Sequence, residues 1–153
     1  RVVVDYAHNI SGYTRVIEAI KKMGASRTIG IIGVPGDRQD DSIRRIGLIA
    51  GKGFDRVIIK EDVDLRGRRR GEVAKLLQEG VLLAGMDPGN IEIILSEVEA
   101  LKTTMRTAKA GDLIVVFYEK LEPIMAAIKE MLSSIDMVAD NDRNDAMLQL
   151  TRL

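Results

Sequence analysis

Residues 2–9 read VVVDYAHN, an apolar β-branched run that ends in an acid and in the only histidine of the chain. The pattern predicts a strand that leads into an amphipathic helix, with Gly24 placed to stop the helix. Asp5 and His8 then lie at the carboxyl end of the strand, the edge at which open α/β sheets bind ligands. Four residues at helical spacing predict the buried face of this helix: Val16, Ile17, Ile20 and Met23.

Strand and helix signals alternate along the rest of the chain in the same way. The predicted fold class is α/β: a three-layer, Rossmann-like, mostly parallel sheet of five or six strands with helices on both faces. We place this domain at residues 1–135 and a polar C-terminal tail at residues 136–153. Ser96 and Glu99 predict a capping box for the fourth helix. Further predicted helix faces are Ile43, Ile46, Gly47 and Ala50; Val73, Leu76, Leu77 and Val81; Val98, Leu101 and Met105; and Leu121, Ile124, Met125, Ile128 and Leu132.

Composition narrows the classes of function. With 153 residues, of which 46% are hydrophobic, the chain suits one domain with a real core. Lys and Arg (23) balance Asp and Glu (23), and Trp is absent, so neither nucleic acid nor a membrane surface is expected as a partner. The absence of cysteine and the single histidine exclude thiolate and multi-histidine metal sites, and we expect a cytoplasmic protein. Because the chain begins at Arg1, inside the first predicted strand, we also expect a fragment of a longer protein.

Two predicted strand ends carry candidate ligand-binding residues. An imidazole and a carboxylate at His8 and Asp5 suit a ribose hydroxyl or a phosphate, although Asp5 could instead hold the turn while Asn9 or Ser11 caps the helix. The loop at residues 33–41 follows the second strand, with two glycines, one arginine and three acids that suit a phosphate or Mg²⁺. An ordinary turn with solvated charges explains this loop equally well.

A third loop, after the strand at residues 57–59, is acidic and then strongly basic. Arginine binds carboxylates and phosphates in bidentate fashion, so this loop indicates an anionic substrate group. For Arg69 and Arg70 we favour a solvated surface, and Arg66 stays a candidate ligand residue.

Two glycine patterns do not support other nucleotide sites. Gly51-Lys52-Gly53 lacks the Ser/Thr and the first glycine of a phosphate-binding loop, and we read it as a helix end. The glycines of residues 30–36 lack the G-x-G-x-x-G spacing, so we do not infer NAD.

Residues 5–9 resemble the D-Y-A-H-N-P motif that opens the C-terminal domain of the Mur ligase superfamily. That superfamily includes the muramyl-peptide ligases, folylpolyglutamate synthase and one half of cyanophycin synthetase. The resemblance extends over about residues 1–135 and includes G-x-x-G-D-R-x-D at residues 33–40. The sequence DLRGR at residues 64–68 is most similar to the cyanophycin synthetase family, because the muramyl ligases carry D-N-P-R in this loop.

The resemblance implies an ATP-dependent amide ligase that works through an acyl phosphate, with arginine and poly-aspartate as substrates in the cyanophycin synthetases. It implies that Asp5, His8 and Asn9 form the nucleotide-binding site, in which Asp5 and His8 contact the nucleotide and Asn9 supports their turn. Asp37 and Arg38 would close over the reacting groups, and Arg66 would bind a substrate carboxylate.

The same resemblance implies a preceding central domain of the same polypeptide that holds most of the ATP and Mg²⁺ contacts. No G-x-x-x-x-G-K-[ST] loop occurs in this chain, so the chain alone should not turn over. Ile10 stands where the motif has proline. No metal site is predicted within the chain, and a homo-oligomer stays open.

Functions of other classes are also open. A non-catalytic flavodoxin-like or receiver-type module would bind a partner through the same sheet edge. A receiver fits poorly, because the first strand ends with one Asp and the third strand runs into Lys60 rather than an acid. A muramyl-peptide or folylpolyglutamate synthase-like ligase is the alternative within the superfamily.

Overall fold

The computed structural model describes residues 1–134, which form five strands and five α-helices. Strands and helices alternate along the chain, and a short 3-10 helix precedes the fourth strand. The tail predicted at 136–153 lies outside the described residues. In chain order the elements are β1 (Val2–Asp5), α1 (Ile10–Lys21), β2 (Arg27–Ile32), α2 (Asp40–Gly53), β3 (Arg56–Ile59), α3 (Glu72–Leu83), the 3-10 helix (Pro88–Asn90), β4 (Ile91–Ile93), α4 (Glu97–Thr107), β5 (Asp112–Phe117) and α5 (residues 121–134).

The five strands form one sheet in the order β1-β5-β2-β3-β4, and every pair is parallel. The predicted α/β class with a parallel sheet is therefore confirmed. Because all strands run the same way, the loops that follow them emerge at one edge, which we call the strand-end edge. Asp5 is level with Phe117 in the register of β1 and β5, so the first and fifth loops start side by side.

Helices cover both faces of the sheet. On one face α1, α2 and α3 pack against strand residues such as Ile32, Val57 and Val115. On the other face α4 and α5 pack against the alternate residues, among them Ile31 and Val116. This alternation explains why β2, β3 and β5 read as continuous apolar runs. No helix within residues 1–134 is long and apolar enough to cross a membrane.

The predicted faces of α2 and α3 are confirmed in full, and these two helices pack very closely. Gly80 permits the approach, because a Cβ there would overlap the carbonyl oxygen of Arg44. One half of the predicted capping box is confirmed, since the Ser96 hydroxyl accepts a hydrogen bond from the Glu99 amide at 3.4 Å; within the described residues the Glu99 carboxylate makes no return bond to the Ser96 amide. Gly51-Lys52-Gly53 forms the last turn of α2, as predicted.

Two details of the predicted faces are wrong. Met23 is 40% exposed, because α1 ends at Lys21 and Met23 no longer lies on the helix. In α5 the residues Leu121, Met125 and Leu132 are also exposed. The buried face of α5 is formed by Ile124, Ala127 and Met131, and the small Ala127 gives little hydrophobic signal in a sequence.

Candidate functional site

The loop after β1 is shaped by two of its own polar side chains. Asp5 Oδ1 accepts a hydrogen bond from the Ala7 amide at 2.7 Å, and Asn9 Oδ1 caps α1 by accepting from the Gly12 amide at 2.9 Å. Both side chains therefore have the structural roles that the sequence allowed. In holding the turn, they also fix the direction in which His8 projects.

The His8 ring packs against Tyr6, whose ring also contacts Tyr118 of the neighbouring strand end. Nδ1 lies 3.1 Å from the Tyr6 carbonyl oxygen, and the Tyr6 ring contacts His8 edge-on at 5.2 Å and Tyr118 at 5.4 Å between centroids. If Nδ1 donates to that carbonyl, Nε2 is left as an acceptor. An acceptor at this position suits a hydroxyl group of a ligand.

His8 lines two neighbouring cavities at the strand-end edge. One, of about 390 Å³, also has Asn9 and Arg38 in its wall. The other, of about 210 Å³, has Arg66, Lys60 and Asp62 in its wall. The structure thus brings His8 and Asn9 together with Arg38 at the first cavity and His8 together with Arg66 at the second, whereas Asp5 lines neither cavity.

Arg38, which lines the first of these cavities, carries a buried nitrogen, Nε, that has no hydrogen-bond partner within the described part of the chain. A buried donor without a partner costs free energy. The Arg38 guanidinium also lines this cavity, where a ligand oxygen would be stabilised by its positive charge. A phosphate or a carboxylate has the matching chemistry.

Asp37 and Arg66, predicted for separate roles, form an ion pair. Arg66 Nη1 donates to Asp37 Oδ2 at 2.7 Å, and both side chains are about half exposed. The guanidinium holds the pKa of the Asp37 carboxyl below its ordinary value. Arg66 is also the one non-glycine residue with a positive φ, 47°, among residues 1–134. Because water reaches both groups, a carboxylate of a ligand could replace Asp37 on the guanidinium.

Arg68, which the sequence did not single out, ties two strand-end loops together. Its guanidinium donates to the carbonyl oxygens of Gly36 and Arg38 at 2.6 and 2.7 Å, and it pairs with Asp40 and Glu72 at 2.8 and 2.7 Å. Only 17% of the side chain is exposed. Arg68 therefore fixes the loop that carries Asp37 and Arg38 relative to the loop that carries Arg66.

A buried ionic group, part of which lines the same cavity as Arg66, was not predicted either. Lys60 is 1% exposed, and its ammonium group pairs with Asp62 at 2.7 Å and with Glu97. Its stem occupies the space that a Cβ on Gly33 would need. We call Lys60, Asp62 and Glu97 the Lys60 cluster. A lysine directly after an apolar strand and before two acids was a signal in the sequence, but Glu97 is 37 positions away.

The remaining arginines of the loop differ from each other. Arg69 is exposed, as predicted. Arg70 is also exposed, but it is not simply solvated: it donates to the Asp62 carbonyl oxygen at 3.1 Å and lies 3.6 Å from Glu61. Buried Glu61 in turn accepts from two amides at the start of α3.

The part of the chain that the structure describes contains no group of three acidic or histidine side chains that could hold a metal ion. The acids of the strand-end edge are already engaged with Lys60, Arg66, Arg68 and backbone amides. The residues present therefore do not fit a magnesium site within this range.

Comparison with known proteins connects this geometry to one family. Residues 1–117 match the family model described as Mur ligase, glutamate ligase domain. The cyanophycin synthetase of Crocosphaera subtropica is 41% identical over 126 residues, which are 82% of this chain and 14% of that protein. The cyanophycin synthetase of Geminocystis herdmanii is 42% identical over 120 residues, or 78% of this chain and 14% of that protein. The chain thus spans about a seventh of the length of these two relatives.

Among solved structures, a UDP-N-acetylmuramoyl-L-alanyl-D-glutamate–2,6-diaminopimelate ligase superposes with a TM-score of 0.72. The match covers 87% of this chain and 29% of that chain at 20% sequence identity. At this identity the likeness shows a common fold.

Proposed function

Because the chain belongs to the Mur ligase family as a glutamate ligase domain, we propose that it is the C-terminal domain of a longer, ATP-dependent amide ligase. We further propose a ligase of the cyanophycin synthetase type, which adds arginine to the aspartate side chains of a poly-aspartate backbone. The identity of about 41% to cyanophycin synthetases and the DLRGR sequence of the loop support this choice. Such a ligase would work in the cytoplasm, where ATP is available.

The observation that carries the proposal is the position of His8 between two cavities. An acyl-phosphate ligase must bring the terminal phosphate of ATP next to a substrate carboxylate and then admit an amine. One cavity offers His8, Asn9 and Arg38 to the nucleotide, and the adjoining cavity offers Arg66 to the amino acid. Two adjacent cavities that are both lined by His8 suit two reactants that must be brought into contact.

The proposed reaction has two steps. A carboxylate oxygen of the acceptor attacks the terminal phosphorus of ATP, and ADP leaves. The amine of the incoming amino acid then attacks the carbonyl carbon, phosphate leaves, an amide bond forms and the amine loses a proton. Steps of this kind depend mainly on positioning and on charge stabilisation.

The residues of the candidate site bind and position the reactants in these steps. His8 Nε2 accepts a hydrogen bond from a hydroxyl of the nucleotide, while Asp5 and Asn9 hold its turn. Arg38 stabilises negative charge on phosphate oxygens, and Arg66 exchanges Asp37 for the carboxylate of the amino acid. Magnesium does not fit residues 1–134, so we assign it, with most ATP contacts, to the preceding domain.

Paired variants of the longer protein test this division. We expect His8→Ala to raise the KM for ATP several-fold to about a hundredfold, because one hydrogen bond is worth ~0.5–3 kcal/mol. We expect Arg66→Lys to raise the KM for arginine about tenfold with little effect on ATP, because lysine lacks the planar fork. Both constants can be measured from ADP release, with a poly-aspartate primer present.

Arg69→Ala is the matched control, since Arg69 is exposed on the same loop. The division of roles is wrong if His8→Ala leaves the KM for ATP unchanged, or if Arg69→Ala is as damaging as Arg66→Lys. The choice of ligase is tested separately: turnover that requires a muramyl peptide instead of poly-aspartate and arginine would favour the alternative within the family.

A further inference from the structure

Glu119, in the loop after β5, holds the loop that carries Arg66. One carboxylate oxygen accepts a hydrogen bond from the Val63 amide at 2.7 Å, and the other accepts from the Asp64 amide at 3.4 Å. The loops after β3 and β5 are thus joined at the point where the chain turns toward Arg66.

The Lys60 cluster holds Glu119 in turn. The Glu119 amide donates to Glu97 Oε2 at 2.9 Å, and Glu97 pairs with buried Lys60. Glu97 is at the first turn of α4, on the face of the sheet opposite α1. The position of Glu119 is therefore set by a buried ion pair and by a helix rather than by the loop itself.

Hydrogen bonds fix the backbone between Val63 and Arg66. The Asp64 amide donates to Glu119, and the Asp64 carboxylate accepts from the Arg66 amide at 3.0 Å. Arg66 then adopts φ of 47°, a conformation that needs support from its surroundings in a non-glycine residue. Glu119 and Asp64 support the turn on its N-terminal side. The Arg68 amide closes it by donating to the Leu65 carbonyl oxygen at 3.1 Å.

We propose that Glu119 is a positioning residue, which sets the direction of the Arg66 guanidinium through the Val63–Arg66 turn; this inference rests on the role given to Arg66 in the proposed function. Glu119 also lines the cavity that contains His8 and Arg66. Both of its carboxylate oxygens are engaged by backbone amides, so it acts on the substrate through Arg66.

Glu119→Gln in the longer protein tests this inference. A glutamine presents its NH₂ group to one of the two amides, so one hydrogen bond is replaced by two opposed donors. We expect the KM for arginine to rise about three- to tenfold, with the KM for ATP and the melting temperature little changed. Glu18→Gln is the control, because this exposed carboxylate on α1 makes no hydrogen bond or ion pair within the described residues.

A double variant separates positioning from a general structural effect. If Glu119 acts through Arg66, then Glu119→Gln should change the KM for arginine less than twofold in the Arg66→Lys background. Multiplicative effects of the two substitutions, or a change in the KM for ATP alone, would overturn the inference. If Arg66→Lys raises the KM and Glu119→Gln does not, this inference fails while the proposed function stands. If Arg66→Lys itself has no effect, the role assigned to Arg66 is wrong, and the inference about Glu119 is wrong with it.

Discussion

Replacement of Lys60 by methionine tests whether buried charge organises the strand-end edge. Methionine keeps a stem of similar length against Gly33 and removes the ammonium group. Asp62 and Glu97, whose side chains are only 10% and 12% exposed, then lose their shared partner. Breaking a buried ion pair from one side costs ~3–5 kcal/mol. That is a large share of the ~5–15 kcal/mol by which a domain is stable.

Urea denaturation of the 153-residue chain, followed by far-UV circular dichroism, measures this cost. We expect the chain to fold alone, because helices within residues 1–134 cover both faces of its sheet. With a urea dependence of ~2 kcal/mol per molar, Lys60→Met should lower the midpoint by about 1.5–2.5 M. Lys102→Met is the control: Lys102 pairs with Glu130, which is 62% exposed, and loss of such a pair should cost about 1 kcal/mol or less.

A triple variant distinguishes loss of charge from loss of packing. When Asp62→Asn and Glu97→Gln accompany Lys60→Met, no uncompensated carboxylate is left, and most of the lost stability should return. If the triple variant is as unstable as Lys60→Met alone, the cost came from packing. If Lys60→Met costs less than about 1 kcal/mol, the cluster is not insulated from water and the reasoning is refuted.

Two further substitutions address other contacts. Arg68→Ala should raise the KM for both ATP and arginine in the longer protein and should cost about 1–3 kcal/mol of stability, because Arg68 joins the loops of Arg38 and Arg66; an effect on one substrate alone would contradict this role. Asp112 pairs with Arg27 at 2.6 Å, and the guanidinium lowers the pKa of the Asp112 carboxyl. The pair therefore stabilises the fold at a pH above the ordinary pKa of the carboxyl, and this stabilisation is lost as the pH falls through the pKa of the folded state. Asp112→Asn should therefore lower the melting temperature by a few degrees at pH 7 and progressively less below about pH 4; a difference independent of pH would contradict this.

The fold was predictable because its signals are local. Each strand is a short apolar run, and each helix face repeats within about 15 residues, so neither depends on distant partners. The errors, in contrast, have a non-local cause. Helix α1 ends before Met23, and α5 buries Ala127. The end of a helix and the burial of a small residue both depend on tertiary packing, which the hydrophobic pattern of the sequence does not contain.

For the candidate site, the sequence predicted only where in the fold its residues lie. A parallel sheet requires the ends of β1, β2 and β3 to lie at one edge, and this brought His8, Arg38 and Arg66 to neighbouring cavities. The partners of these side chains were not predictable. Asp37 is 29 residues from Arg66, and Glu97 is 37 residues from Lys60. A sequence with 23 basic and 23 acidic residues offers many equivalent pairings.

The ion pairs of the strand-end edge differ in how easily one partner can be replaced by a ligand, and this difference suits a ligase. Lys60 and its two carboxylates are shielded from water, so replacing a partner there would carry a large desolvation cost. Arg66 and Asp37 are about half exposed, so water screens the pair and another carboxylate can take the place of Asp37 at little cost. The exchangeable pair is joined to the fixed cluster through Glu119. On the role proposed for Arg66, the guanidinium would bind and release a substrate carboxylate while the backbone that carries Arg66 stays in place.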